Sequence, residues 1–140
     1  MCQHPAVAMA AAIGRPDAHA GEVPVVYVQL RPGLQASEHD LMTHARATIA
    51  ERAAHPKQIR IVEALPTTAI GKIFKPTLIQ QEVESLFQDV AATLDVQDAH
   101  GVATQDAKRG LVLRWRAKGD VAGLRARLDQ FIFQHEQVSP

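Results

Sequence analysis

Residues Val7 to Ile13 form an unbroken run of small and branched apolar side chains. A run without polar interruption suits a strand covered on both faces, although periodicity leaves a short helix open over so few residues. Arg15, Pro16 and Asp17, with Gly21 four residues on, read as a turn. The next run alternates, with Val23, Val25 and Tyr27 on one side and Val26, Val28 and Leu30 on the other, and its branched residues favour a strand. Pro24 has no N–H to give a ladder, which places it at the strand start or a sheet edge.

Arg31, Pro32 and Gly33 close that strand. Ser37 offers a helix N-cap, with Asp40 three residues later as a weak capping box. Leu41, Ala45 and Ile49, with Met42 alongside, give a helical apolar stripe expected to last to about Ala54, where His55 and Pro56 stop it. Ile59, Ile61 and Ala64 then predict a short strand leading to Leu65 and Pro66. Thr67 to Gly71 have the character of a loop, and Pro76 suits the first turn of a new helix. Ile79, Val83, Leu86, Val90 and Leu94 recur at helical spacing. The polar segment Asp95 to Arg109 reads as either a loop or one strand of a hairpin. Beyond it, Leu111, Leu113 and Trp115 alternate with polar residues as a half-buried strand, and Asp120 caps a final helix carrying Val121, Leu124, Leu128 and Phe131. The expected fold class is α+β, a small mixed sheet flanked by helices with an appended strand–helix unit.

A chain of 140 residues can bury a real core. Fifteen Lys plus Arg cancel fifteen Asp plus Glu, so there is no field to gather polyanions and nucleic acid is not an expected partner. The single cysteine, Cys2, allows no disulfide or cysteine metal site within one chain, which fits a reducing cytoplasm. The apolar run Ala6 to Ile13 has no basic segment before it and ends at Gly14, arguing against a spanning helix or a signal peptide. The opening Met1-Cys2-Gln3-His4-Pro5 meets a strand-like segment with no capped element before it, as in a chain cut from something longer.

The segment Ile61-Val62-Glu63-Ala64-Leu65-Pro66-Thr67-Thr68-Ala69-Ile70-Gly71-Lys72-Ile73-Phe74-Lys75-Pro76 carries most of the functional information. It places a lysine after a glycine on a hydroxyl-bearing loop between a strand and a helix, where a flexible ammonium can project from a rigid body. A Gly-Lys pair alone is weak evidence, since most lysines are solvated surface residues. A phosphate-cradling P-loop needs a glycine five residues before the pair and Ser or Thr after it. Pro66 and Ile73 occupy those places, so that reading fails.

Together with His4-Pro5-Ala6-Val7, Ile13-Gly14-Arg15-Pro16-Asp17 and Gly21-Glu22-Val23-Pro24, the stretch from Leu65-Pro66 to Gly71-Lys72 resembles the C-terminal domain of the superfamily of acyl-CoA synthetases, peptide-synthetase adenylation domains and luciferases. The landmarks fall in order from His4 to about Leu86, and several in sequence are far more specific than any one. Lys72-Ile73-Phe74-Lys75-Pro76 is similar to acyl-CoA ligases of the fatty-acid type rather than to peptide synthetases. The resemblance implies a lid domain over residues 1–92 and an extension over residues 93–140.

It further implies a two-step ligase. A carboxylate, here a fatty or other acid, attacks the α-phosphate of ATP to give an acyl-adenylate and pyrophosphate, and the thiol of coenzyme A then displaces AMP. The lysine matching Lys72 reaches the active site of a large N-terminal domain as an electrostatic clamp on the acyl carboxylate and the phosphate. The small domain then rotates to withdraw that lysine for thioester formation. Gly71 would let the loop approach the nucleotide closely, and Thr68 belongs to the same nucleotide-facing loop. ATP, coenzyme A and Mg are implied in the intact enzyme, with none held tightly by this chain alone. The large domain, the hinge and the preceding hairpin are absent from the sequence, so the isolated chain is expected to be inactive.

Other features read more plainly. His39 and His44 are five apart on a helix and share no face for a metal, and with His55 they read as solvated. Arg114, Arg116, Lys118, Arg125 and Arg127 suggest a phosphate patch, but acidic neighbours favour a solvated face. Trp115 and Phe131 lie at core spacing. A rival reading is a non-catalytic α+β regulatory or partner-binding module, with the terminal strand pairing with its own copy along an exposed edge. A third reading, which the family resemblance allows, is that Lys72 is controlled by acylation, which would remove its charge.

Overall fold

The structure, a computed structural model, describes residues 3–138. They form two compact units, one of residues up to Arg15 with Val23–Leu78, the other of Pro16–Glu22 with the residues from Ile79 onward. Strands β1 (Val7–Asp17) and β2 (Gly21–Leu30) are neighbours joined by three residues, and β3 (Gln58–Val62) completes a sheet of order β1-β2-β3. β2 and β3 run parallel, from Val25 opposite Gln58 to Gln29 opposite Val62. A parallel pair requires a crossover, and helix α1 (Glu38–Thr48) supplies it. Val7, Val26, Val28, Leu41 and Ile59 form the first core, each contributing about 1.5–3 kcal/mol by leaving water. Val25 and Tyr27 are buried on the opposite face of β2, which explains its apolar residues at both parities.

Local chemistry places the boundaries. Ser37 caps α1 with a complete capping box: its Oγ accepts from the Asp40 N–H at 3.0 Å, and Asp40 Oδ2 accepts from the Ser37 N–H at 3.2 Å. That helix stops at Thr48 rather than near Ala54, because Ile49 is extended and a single 3-10 turn follows at Arg52–Ala54. Arg15, Pro16 and Asp17 belong to β1, not to the turn. The turn is residues 18–20, held by the Asp17 carboxylate, which accepts from the N–H groups of His19 and Ala20 at 3.0 and 2.8 Å. Pro24 lies inside β2, the central strand, rather than at a sheet edge, and the pairing with β3 begins at the next residue, Val25.

Helix α2 (Lys75–Ala92) leads into the second unit. Strand β4 (Val96–Asp106) pairs antiparallel with β5 (Gly110–Gly119), and after α3 (Val121–Leu128) the short β6 (Gln134–Gln137) adds parallel to β5. Val83, Leu86, Phe87, Val90 and Ala91 of α2 meet Ala103, Leu113 and Trp115 of the sheet and Leu124 and Leu128 of α3 in a second core.

The α+β class holds, but the second unit is richer than one strand and one helix. The polar segment after Asp95 is strand β4, and Phe131 lies beyond the end of α3, half-buried against the core. β5 is the middle strand with both edges paired, so the strand expected to offer a free edge for self-pairing has none. Among the described residues no helix is long and apolar enough to cross a membrane.

Candidate functional site

Lys72 lies on a miniature hairpin between β3 and α2. Thr67 and Ile73 face each other in an antiparallel bridge. On either side, the Thr68 N–H donates to the Lys72 carbonyl at 2.7 Å and the Phe74 N–H to the Pro66 carbonyl at 2.8 Å. The Gly71 N–H donates to the Thr68 carbonyl at 2.9 Å, and Gly71 has φ +83° with nothing within 4 Å of a Cβ built there. This is a three-residue hairpin loop closed by a left-handed glycine. Glycine is needed at position 71 for its backbone conformation, not for space.

Thr68 supplies the second hold on the lysine, its Oγ1 accepting from the Lys72 N–H at 3.2 Å. The base of the hairpin is fixed to the sheet by Gln29, whose Oε1 accepts from the Leu65 N–H at 2.9 Å, with the Leu65 side chain buried. Gln29 is the last β2 residue paired with β3, so the hairpin leaves from the carboxyl ends of two parallel strands. Sequence reasoning missed Gln29, because a side-chain bond across 36 positions has no local signal.

Lys72 is exposed, and among the described residues no carboxylate pairs with its ammonium. The backbone is therefore held at four points while the cation remains available to an outside anion. Thr68, Gly71 and Lys72 thus lie together on one rigid turn.

The other candidates resolve differently. Arg114 does not offer a bare cation: it donates to Glu136 at 2.6 Å and to Thr104 at 2.8 Å. Lys118 lies 3.5 Å from Asp98. A shallow cleft of about 450 Å³ on the second sheet, lined by Asp98, His100, Arg116 and Lys118 among others, mixes both signs and has no convergent anion cradle. His39 is exposed, but His44 and His55 are not simply solvated. His55 Nε2 lies 2.7 Å from the Ile49 carbonyl. The ring of His44 meets His4 edge-on at 5.1 Å, and its Nε2 is buried without a hydrogen-bond partner. No cluster of three or more potential metal ligands occurs among the described residues. Trp115 is wholly buried, its indole N–H donating to His135 Nδ1 at 3.2 Å.

The model of the AMP-binding enzyme C-terminal domain matches residues 1–72, and the chain belongs to that family. Marinolic acid–CoA ligase of Pseudoalteromonas sp. is 46% identical over 99 residues, covering 68% of this chain and 15% of the relative. Acetyl-coenzyme A synthetase of Pyrobaculum aerophilum is 43% identical over 81 residues, covering 56% of this chain and 12% of the relative. Among solved structures, Brucella canis acyl-CoA synthetase matches with a TM-score of 0.54 and 36% identity, covering 60% of this chain and 16% of that one. The chain thus spans about a seventh of the length of such enzymes.

Proposed function

We propose that this chain is the C-terminal lid of an ATP-dependent, AMP-forming acyl-CoA ligase, and that Lys72 is its adenylation lysine. The observation that carries the reading is an exposed ammonium, without an ion-pair partner among the described residues, on a backbone fixed by four hydrogen bonds. Adenylation brings two anions together and adds charge to the transferring phosphoryl oxygens. A cation delivered to that point from a rigid support lowers the barrier without reorganising at the moment of reaction. Thr68 and Gly71 act through the lysine by fixing its backbone. The lid proper is read as residues 1–92 and the extension as residues 93–140, on the span of the resemblance.

The partners in this reading are the large domain of the same enzyme, ATP with Mg, coenzyme A and a carboxylic acid, in a reducing cytoplasm. The acid is read as a fatty acid, on the character of Lys72-Ile73-Phe74-Lys75-Pro76. The test separates the two half-reactions in a full-length ligase carrying this chain. Lys72→Ala should reduce carboxylate-dependent pyrophosphate exchange by about 10²–10³, the cost of removing one group that stabilises developing charge. Thioester formation from supplied acyl-adenylate should survive. Undiminished exchange would refute the role of Lys72.

A further inference from the structure

The lysine hairpin bears two exposed apolar side chains. Ile70, at its tip, is 79% exposed, the highest value among the large hydrophobic residues described, and Phe74 is 46% exposed. The Pro66–Phe74 and Thr68–Lys72 rungs flank the Thr67–Ile73 bridge. Alternation along the ladder therefore puts Lys72 and Phe74 on one face and half-buried Ile73 on the other. Lys72 thus shares its face of the hairpin with an exposed aromatic residue and lies two positions from the apolar tip, on a backbone held by four hydrogen bonds. A loop whose lysine met only water would gain nothing from such neighbours, and exposed apolar groups clustered at one place mark a surface to be covered.

We infer that Ile70 and Phe74 form a water-excluding collar around Lys72, which closes against the large domain's adenylation site when the lysine enters it. The inference rests on the proposed role of Lys72 and adds the surface by which that lysine docks. The occupant follows from length: about 85% of each relative lies outside the matched segment, and in the proposed reading that part holds the nucleotide. The chemistry gives the collar two effects. Excluding water strengthens the attraction between the ammonium and the phosphate oxygens. It also protects the acyl-adenylate, whose acyl carbon is otherwise attacked by water to give the free acid and AMP. Ile70 and Phe74 are positioning residues, since neither touches the reacting atoms.

The test compares Ile70→Ser, Phe74→Ser, Lys72→Ala and a control, Ile132→Ser, in a full-length ligase carrying this chain. Ile132 is 62% exposed and belongs to the second unit, so it reports the generic effect of removing surface apolar area. The readouts are pyrophosphate exchange, AMP released in the absence of coenzyme A per adenylate formed, and thermal unfolding. Both collar variants should unfold as wild type does. Each should lose about tenfold in exchange, the factor one large apolar side chain confers on burial, and release more AMP without thiol, while Ile132→Ser changes neither. If Lys72→Ala abolishes exchange but both collar variants exchange and retain adenylate like wild type, the collar is refuted and the lysine reading stands. If Lys72→Ala exchanges normally, the collar falls with the reading beneath it.

Discussion

Substitution of Gly101 by alanine tests whether the polar segment after Asp95 is a strand pressed against α2. A Cβ at position 101 would lie 2.8 Å from Phe87 Cδ1 and 3.1 Å from both Phe87 Cε1 and Leu113 Cδ1. Neither neighbour can withdraw into solvent, because Phe87 and Leu113 are wholly buried and the Phe87 ring lies 6.1 Å, centroid to centroid, from the buried Trp115. An extra methyl forced into such a core costs about 1–3 kcal/mol, which for a compact unit of this size lowers the melting temperature by roughly 4–8 °C per kcal/mol. Trp115 is the only tryptophan, so urea unfolding followed by its fluorescence reads the second core directly. Gly101→Ala should lower the midpoint at unchanged slope. Phe87→Leu makes room at the clash, so the double variant should be less destabilised than the sum of the two single changes. An unchanged midpoint for Gly101→Ala, or strict additivity in the cycle, would refute the packing of β4 on α2.

Gly71→Ala meets no atom but forces a side chain into the left-handed region, so it should cost about 1–2 kcal/mol and weaken adenylation less than Lys72→Ala; calorimetry and pyrophosphate exchange check both. Ser37→Ala removes the cap of α1 and should cost about 1 kcal/mol, measured as a shift in the urea midpoint. Stability should also fall in acid. Arg109 and Arg114 hold the Glu136 carboxyl below its ordinary 4.5, and the backbone N–H groups of Lys108 and Arg109, then the Arg109 side chain, hold Asp106 below 3.8. Both groups bind fewer protons folded than unfolded, so their contribution is present above the ordinary carboxylate range and is lost as pH falls from about 5 through the lowered values. Glu136→Gln should flatten that decline in a melting-temperature series; an unchanged slope would count against the Glu136 pairing.

The first unit was the more legible in sequence, because its elements are set by local chemistry. Ser37 and Asp40 are three apart and cap their own helix, and the doubly buried β2 shows as branched residues at both parities. The hairpin turn was displaced in the reading because Pro16 suggests a break, whereas the Asp17 carboxylate does the turning two and three residues later. The second unit was obscure for a physical reason. β4 presents alternating Gly101 and Ala103 to the core, residues too small to mark an apolar face, with a register shift between Gln97 and His100 that breaks the period. β6, Gln-His-Glu-Gln, has no strand signature and exists through pairing with β5 and the Arg114–Glu136 bond. At the site, Lys72, Thr68 and Gly71 could be picked out from their order along the chain. Gln29 and the exposure of Ile70 and Phe74 depend on tertiary placement, which no local pattern encodes.

The delivery of Lys72 to a separate body is tested most directly by complementation in trans. A ligase stripped of its C-terminal domain would be mixed with this chain as a separate polypeptide, wild type or Lys72→Ala, and carboxylate-dependent pyrophosphate exchange measured against chain concentration. Saturable exchange with wild type and none above background with Lys72→Ala is the expected result; equal rates with the two chains would contradict the role of the ammonium.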